Sequence, residues 1–281
     1  MITYSRPVTE LIQIRTSART HTGEAIAAGD MDVLTRTCGQ LNRGLLDEPA
    51  RFQVLEKSFV KGEKVKLGNY GLQKNPRYFF VGGVHASRMT NESYGYLMEQ
   101  LVLKATELGL GTCWIGFFDR TFFHDFQTAE NEEFPAACTV GHAANRRLFE
   151  KVSRAAIRAD KRKDREMLFF EEDFTTPLNS DDDSVYSQML EMVRLAPSAG
   201  NSQPWRVVRE KGTPPVYHFF MNKASRLYAR FGLHNIDMGI AMCHFELTAR
   251  ELGAQGIWQR QQPVHIHPPA DTTYTMTWVG D

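Results

Sequence analysis

The chain has 281 residues, 42% of them hydrophobic, which is enough apolar material for one large core or two ordinary domains. Its 33 Lys and Arg balance 33 Asp and Glu, so no global field draws it to nucleic acid or an anionic membrane, and any anion site must be local. No stretch reaches the ~18 apolar residues of a membrane span and Met1 to Arg19 holds no signal-peptide core, so a cytoplasmic globular protein is expected.

In chain order, Phe52 to Leu55 and Tyr78 to Val81 read as strands. Tyr94, Leu97, Met98, Leu101, Ala105 and Leu108 follow at helical spacing and predict a core helix ended by Gly109. A strand ends at Val140-Gly141, His142 to Lys163 is a basic helical stretch, and Met167 to Phe170 is a short strand. Asn179 to Asp183 is a polar connector able to cap the next helix, which carries Met189, Leu190, Met192, Val193 and Leu195. Pro197 stops that helix, because its ring cannot continue the backbone hydrogen bonding. Val207-Val208 and Val216 to Phe220 are strands, Met238 to Leu252 is a second core helix ended by Gly253, and Val279-Gly280 closes a last strand.

These elements repeat. At an offset of 144 without a gap, Asn91 to Trp114 matches Asn235 to Trp258 at nine of twenty-four positions, including Gly95/Gly239, Met98/Met242, Leu108/Leu252, Gly109/Gly253 and Trp114/Trp258. Each half then reads helix, strand, strand, long helix, strand, strand. The predicted organisation is residues 1–173 for the first half, with a basic extension over 142–173, and residues 174–281 for the second.

Cys38, Cys113, Cys138 and Cys243 lie far apart without a C-x-x-C pair, so they are expected as small buried hydrophobes, with no metal site or disulfide framework. His265-x-His267 reads as strand alternation. Gly109-x-Gly111 is no dinucleotide fingerprint, because it follows a helix and lacks the third glycine. No Ser-His-Asp or Cys-His set stands out, and Asp181-Asp182-Asp183 and Glu171-Glu172-Asp173 read as linker and surface.

The run Ala196-Pro197-Ser198-Ala199-Gly200-Asn201-Ser202-Gln203-Pro204-Trp205 places small, amide-rich residues between a helix and a strand, where a flat polar heterocycle could lie against the backbone. It resembles the flavin-contacting loop of the nitroreductase family. Arg15-Thr16-Ser17-Ala18-Arg19 resembles that family's Arg-x-Ser-x-Arg/Lys segment, and Gly109 to Phe118 its segment beside the flavin ring. Ala137 to His142 matches its strand ending in Val/Ile-Gly-Tyr, with His in place of Tyr. Lys161-Arg162-Lys163 followed by Met167 to Phe170 resembles its basic, phosphate-binding element and the next strand.

The resemblance implies an α+β nitroreductase-like fold binding FMN. Arg15, Ser17 and Arg162 become the phosphate and ribityl candidates beside Thr16, with Lys161 or Lys163 supporting, since Arg forks suit a phosphate dianion. Arg19 would stabilise the charge of the reduced pyrimidine edge. Trp114, Ile115, Gly116 and Phe117 would line the ring, with a backbone N–H of Gly116 or Phe117 toward N5; Pro197, Ser198, Ala199 and Asn201 would complete the site. Trp114 can equally be core. No side chain is required as acid or base, because the cofactor carries the chemistry.

The halves are unequal. The first has Thr37 to Asn42 where the proline-serine loop would stand; the second shows no Arg-x-Ser-x-Arg between Phe174 and Tyr186, has Gly253-Ala254-Gln255-Gly256 for the glycine-rich turn, and shows no basic element after Gly280. In that family the flavin lies at a homodimer interface, so two fused half-repeats imply a pseudo-dimer within one monomeric chain, with one composite FMN site. The implied activity is ping-pong reduction of a nitro-aromatic, quinone or similar small electron acceptor by NAD(P)H. The alternatives are a flavin-binding protein without turnover, for storage or sensing, and dehalogenase-type or flavin-destructive chemistry on the same fold.

Overall fold

A computed structural model describes residues 2–58, 64–65, 73–144, 161–178, 184–223 and 225–281. The chain divides into two compact units, Met1–Asp160 and Lys161–Asp281. Most of the predicted basic helix (residues 145–160) and the polar connector 179–183 lie outside the described residues.

The first unit begins with α1 (Val8–Ile14) and α2 (Ala28–Gln40), followed by strands β1 (Ala50–Glu56), β2 (Lys64–Val65), β3 (Gln73–Lys74) and β4 (Tyr78–His85). Then come α3 (Thr90–Glu107), β5 (Gly111–Ile115), β6 (Glu132–Glu133) and β7 (Ala137–Gly141). The main sheet runs β1-β4-β7-β5, antiparallel throughout, with β6 added to β4 and β2 paired with β3. Tyr78 to Val84 is buried at every position, which accounts for an unbroken apolar run in place of alternation. Along α3, burial is continuous from Ser93 to Thr106, as a core helix requires, and Glu99 is fully enclosed.

The second unit opens with β8 (Phe169–Glu171), α4 (Val185–Leu195), β9 (Trp205–Glu210) and β10 (Val216–Asn222). A short α5 (Arg226–Arg230) precedes the long α6 (Leu233–Glu251), then β11 (Gly256–Gln259) and β12 (Thr272–Gly280). Its sheet order is β11-β12-β10-β9-β8. Read from the other edge, β9-β10-β12-β11 repeats β1-β4-β7-β5 strand for strand, and α6 is enclosed like α3. The two core helices close alike: Leu110 N–H bonds Ala105 C=O and Ala254 N–H bonds Ala249 C=O, the six-residue wrap of a Schellman cap. Gly109 and Gly253 have φ of +74° and +79°, and a Cβ would meet nothing there, so the left-handed backbone is what calls for glycine.

Two expectations change. The division falls at Asp160/Lys161 rather than after Asp173, because β8 pairs in parallel with β9 and the basic triplet is bonded to the 196–204 loop. Sequence adjacency hides a pairing made across some forty residues. His265 and His267 lie in an irregular connection, not a strand; His265 Nε2 instead stands 3.0 Å from Glu210 Oε1. All four cysteines are buried and free, and burial pushes Cys38 up to about 12, so its thiolate is suppressed.

Candidate functional site

The candidate residues fall into one group per unit. In the first, α1 ends at Ile14 and the chain runs out along the edge of β5: Ser17 bridges Thr112 in parallel, and Ala18 N–H donates to Thr112 C=O at 2.8 Å. On the other side, Lys74 N–H donates to Arg19 C=O and His21 N–H to Lys74 C=O, both at 2.9 Å. An extended chain alternates its side chains, so Arg15, Ser17 and Arg19 share one face, which is the physical sense of the Arg-x-Ser-x-Arg spacing. Thr16 falls on the opposite face with Ala18. A Cβ on Gly111 would meet the Ala18 and Ala143 methyls at 2.7 and 2.8 Å, so glycine there permits the close approach.

The Trp114 to Phe117 segment begins within β5 and runs past its end. Trp114 Nε1 donates to Glu99 Oε2 of α3 at 2.9 Å, Ile115 is buried against the sheet, and Gly116 and Phe117 follow as the strand ends. Phe118, Phe123, Phe126 and Phe134 pack edge to face or tilted, holding the next turn of chain.

In the second unit, Ala196 is extended before Pro197, as a pre-proline residue must be, and α4 stops there. The loop then turns through Gly200 and Asn201 (φ +56° each) and Gln203 (φ +48°). Two non-glycine residues in the left-handed region cost on the order of 1 kcal/mol or more each, so the surroundings must hold them. Ser198 Oγ accepts from Gln203 N–H at 2.9 Å, Gln203 Nε2 donates to Asn201 C=O at 3.1 Å, and Ala199 N–H donates to Asp237 Oδ1 at 2.9 Å.

The basic triplet docks on this loop. Arg162 Nη1 donates to Asn201 Oδ1 at 3.2 Å and its Nη2 to Leu195 C=O at 3.1 Å, at the carbonyl end of α4. Asn201 Nδ2 donates to Lys161 C=O at 2.8 Å, and Lys163 N–H to Gln203 Oε1 at 2.8 Å. Lys163 Nζ reaches Ser202 C=O at 2.7 Å, while Arg206 Nη1 reaches Trp205 C=O at 2.7 Å and Gln203 C=O at 3.2 Å. Burial pulls the Lys163 ammonium down to about 8, helped by the Arg206 charge, and burial also lowers Arg206. Among the described residues neither is paired with a carboxylate.

Lys161, Arg162 and Asn201 thus come together, with Pro197, Ser198 and Ala199 on the same loop. Gln203 and, outside the sequence expectations, Arg206, Asp237 and His234 also bond within or against this loop. Arg206 has a legible signal, a cation between the apolar Trp205 and Val207, and Gln203 lies in the amide-rich run itself; Asp237 and His234 have none, since their partners lie on other elements. Ser202, His234 and Asp237 do form a Ser-His-Asp cluster. However, Ser202 Oγ (3.5 Å) and Asp237 Oδ2 (3.3 Å) converge on the same Nδ1, and His234 Nε2 accepts Ser225 N–H at 3.3 Å. No proton path runs through the ring from hydroxyl to carboxylate, so this is not a nucleophile site.

The structure resembles that of a putative nitroreductase from Thermotoga maritima MSB8 at 19% identity and a TM-score of 0.61, covering 99% of this chain and 96% of that one. A nitroreductase family protein from Clostridium novyi NT matches at 19% identity and TM-score 0.42, over 50% of this chain and 87% of its own. A nitroreductase with bound FMN from Bacteroides fragilis NCTC 9343 matches at 16% and 0.39, over 51% and 92%. No curated protein matches. The first likeness defines the class, a mixed helix-and-sheet protein of the nitroreductase fold. The family model described as "Putative TM nitroreductase" matches residues 7–249, and the chain belongs to that family.

Proposed function

We propose that the chain is an FMN-dependent oxidoreductase that accepts hydride from NAD(P)H and passes it to a nitro-aromatic, quinone or similar small electrophile. Family membership supports a flavin oxidoreductase. The observation that carries the cofactor reading is the cation set against the proline-serine loop: Lys163 and Arg206 are partly buried, repel one another and, among the described residues, bond only neutral carbonyl oxygens. An anion offsets that repulsion, so the donor set fits a phosphate.

In this reading Arg162 and Lys161 hold the phosphate beside Lys163 and Arg206, and Arg15 and Ser17 are the first unit's candidates for the phosphate and ribityl chain. Arg19 sits at the pyrimidine edge, where a fixed cation favours the reduced state. Ser198, Ala199 and Asn201 present hydroxyl, N–H and amide to the ring, and Gly116 or Phe117 offers its N–H to N5. FMN, when bound, supplies the hydride chemistry; the side chains bind, orient and exclude water. We further propose that the two repeats act as a pseudo-dimer in a monomeric chain and that only one set of contacting residues is complete.

Heat release of flavin from purified protein and NAD(P)H oxidation with menadione or nitrofurazone test the reading. The expected result is about one FMN per chain with acceptor-dependent turnover. A ratio near two rejects the single complete site, and flavin that NAD(P)H leaves oxidised favours binding without turnover.

A further inference from the structure

We propose that Asp237, oriented by His234, is the positioning residue of the proline-serine loop: a buried carboxylate that sets the backbone of Ala199 to Ser202 and thereby the tightness with which FMN is held. The inference rests on the cofactor reading above.

Asp237 and His234 are almost wholly enclosed at the start of α6. Asp237 Oδ1 accepts Ala199 N–H at 2.9 Å, and the Ser202 hydroxyl stands 3.5 Å from His234 Nδ1, so the Asp237–His234 pair meets both ends of the turn that carries Gly200 and Asn201. His234 is itself fixed. Its Nε2 accepts Ser225 N–H, which leaves Nδ1 to carry the proton toward Asp237 Oδ2, and the Tyr228 ring stands edge-on at 5.7 Å. Tyr228 also abuts Gly200, where a Cβ would lie 2.6 Å from its hydroxyl. The left-handed turn is therefore clamped from its carboxylate side and from α5.

The repeat shows what is particular to this clamp. At the offset of 144, Asp237 corresponds to Ser93. In the first unit the connection 41–49 is also tethered to the core helix by a carboxylate, but the charge sits in the connection: Glu48 Oε2 accepts the Ser93 hydroxyl at 3.0 Å and Leu46 N–H at 2.9 Å, and Glu48 Oε1 accepts the Ser87 hydroxyl at 2.6 Å. In the second unit the carboxylate stands on the helix instead, taking a loop N–H directly and meeting the Ser202 hydroxyl across His234 Nδ1. That exchange keeps the tether while removing negative charge from the loop that lies beside Arg162, Lys163 and Arg206, as a loop receiving a phosphate ester requires.

FMN titration of the full-length protein, with Asp237→Asn, His234→Gln and Glu48→Gln, tests this against thermal melts of the flavin-free forms. Asp237→Asn is expected to raise the FMN Kd about tenfold and alter the visible circular dichroism of the bound flavin, as loss of one charge-assisted bond predicts. Glu48→Gln is expected to lower the melting temperature as well but to leave the Kd within about twofold. A merely structural Asp237 gives equal melting losses with an unchanged Kd and spectrum, which overturns the proposal. Should Asp237→Asn fail to fold, His234→Gln carries the test: a Kd raised about threefold supports the clamp, and an unchanged Kd overturns it. A wild-type protein that binds no FMN overturns the cofactor reading and this inference with it; wild-type binding with insensitive variants overturns the inference alone.

Discussion

Trp114 Nε1 donates to the buried carboxylate of Glu99 at 2.9 Å, and the second repeat makes the same bond between Trp258 and Glu246 at 2.8 Å. In each half the indole on the strand after the core helix is fastened to a glutamate of that helix. The glutamates are not at equivalent positions, since Glu246 corresponds to Val102, so the bond has been kept while its acceptor moved by about one helical turn. Such a pair belongs to the architecture of the repeat. Glu99→Ala and Glu246→Ala should each destabilise the protein by about 1 kcal/mol through the loss of a partner for a half-buried indole N–H. Urea unfolding checks this, and two unequal losses, with only Glu99→Ala affecting flavin binding, would instead make Trp114 a ring-lining residue held for function.

Arg162→Ala should weaken FMN binding by about 1.5 to 3 kcal/mol, the range for a hydrogen bond to a charged group. It also removes the cation from the carbonyl end of α4, so a melting curve of the flavin-free protein separates the two effects. Arg162→Lys keeps the charge but not the fork, and an intermediate Kd is expected. An affinity equal to wild type would leave Arg162 as a helix cap only.

Lys163 gives the site a pH dependence with a definite sign. In the free protein burial holds its ammonium near 8, below the ordinary 10.5. A group depressed on folding binds its proton less tightly than in the unfolded chain, so its contribution to stability is full above 10.5, declines as pH falls toward 8, and is level below that. A bound phosphate raises the ammonium again, so FMN binding takes up protons near pH 8 and affinity falls by up to about tenfold per pH unit above it. Calorimetry in buffers of different ionisation enthalpy reads the uptake. Lys163→Met should abolish it; uptake that persists in that variant assigns it elsewhere.

Arg19→Gln should lower the flavin reduction potential and slow reduction by NAD(P)H while leaving the phosphate contacts in place, because the lost cation stabilised the reduced anion more than the oxidised ring. Redox titration against a dye of known potential is the measurement. A wild-type value removes Arg19 from the ring.

Most of what the sequence determined about this protein is local. The core helices, their left-handed glycine ends, the stop at Pro197 and the order of strands around them follow from apolar spacing and backbone sterics within a dozen residues, and two copies in register made them legible twice. The alternation that sets Arg15, Ser17 and Arg19 on one face is local too. Only the tertiary structure decided that β8 joins β9, that the basic triplet belongs with the second unit, that Gln203 and Lys163 lock the loop, and that Asp237 holds Ala199. Each is a hydrogen bond between residues about forty positions apart or more in separate elements, apart from β8 itself, which is a strand pairing over a similar span. No spacing encodes such a bond: which partner a buried carboxylate or amide meets is set by the packing of the sheet against its helices, and burial then enforces the pairing, because an unpaired polar group there costs more than the bond returns.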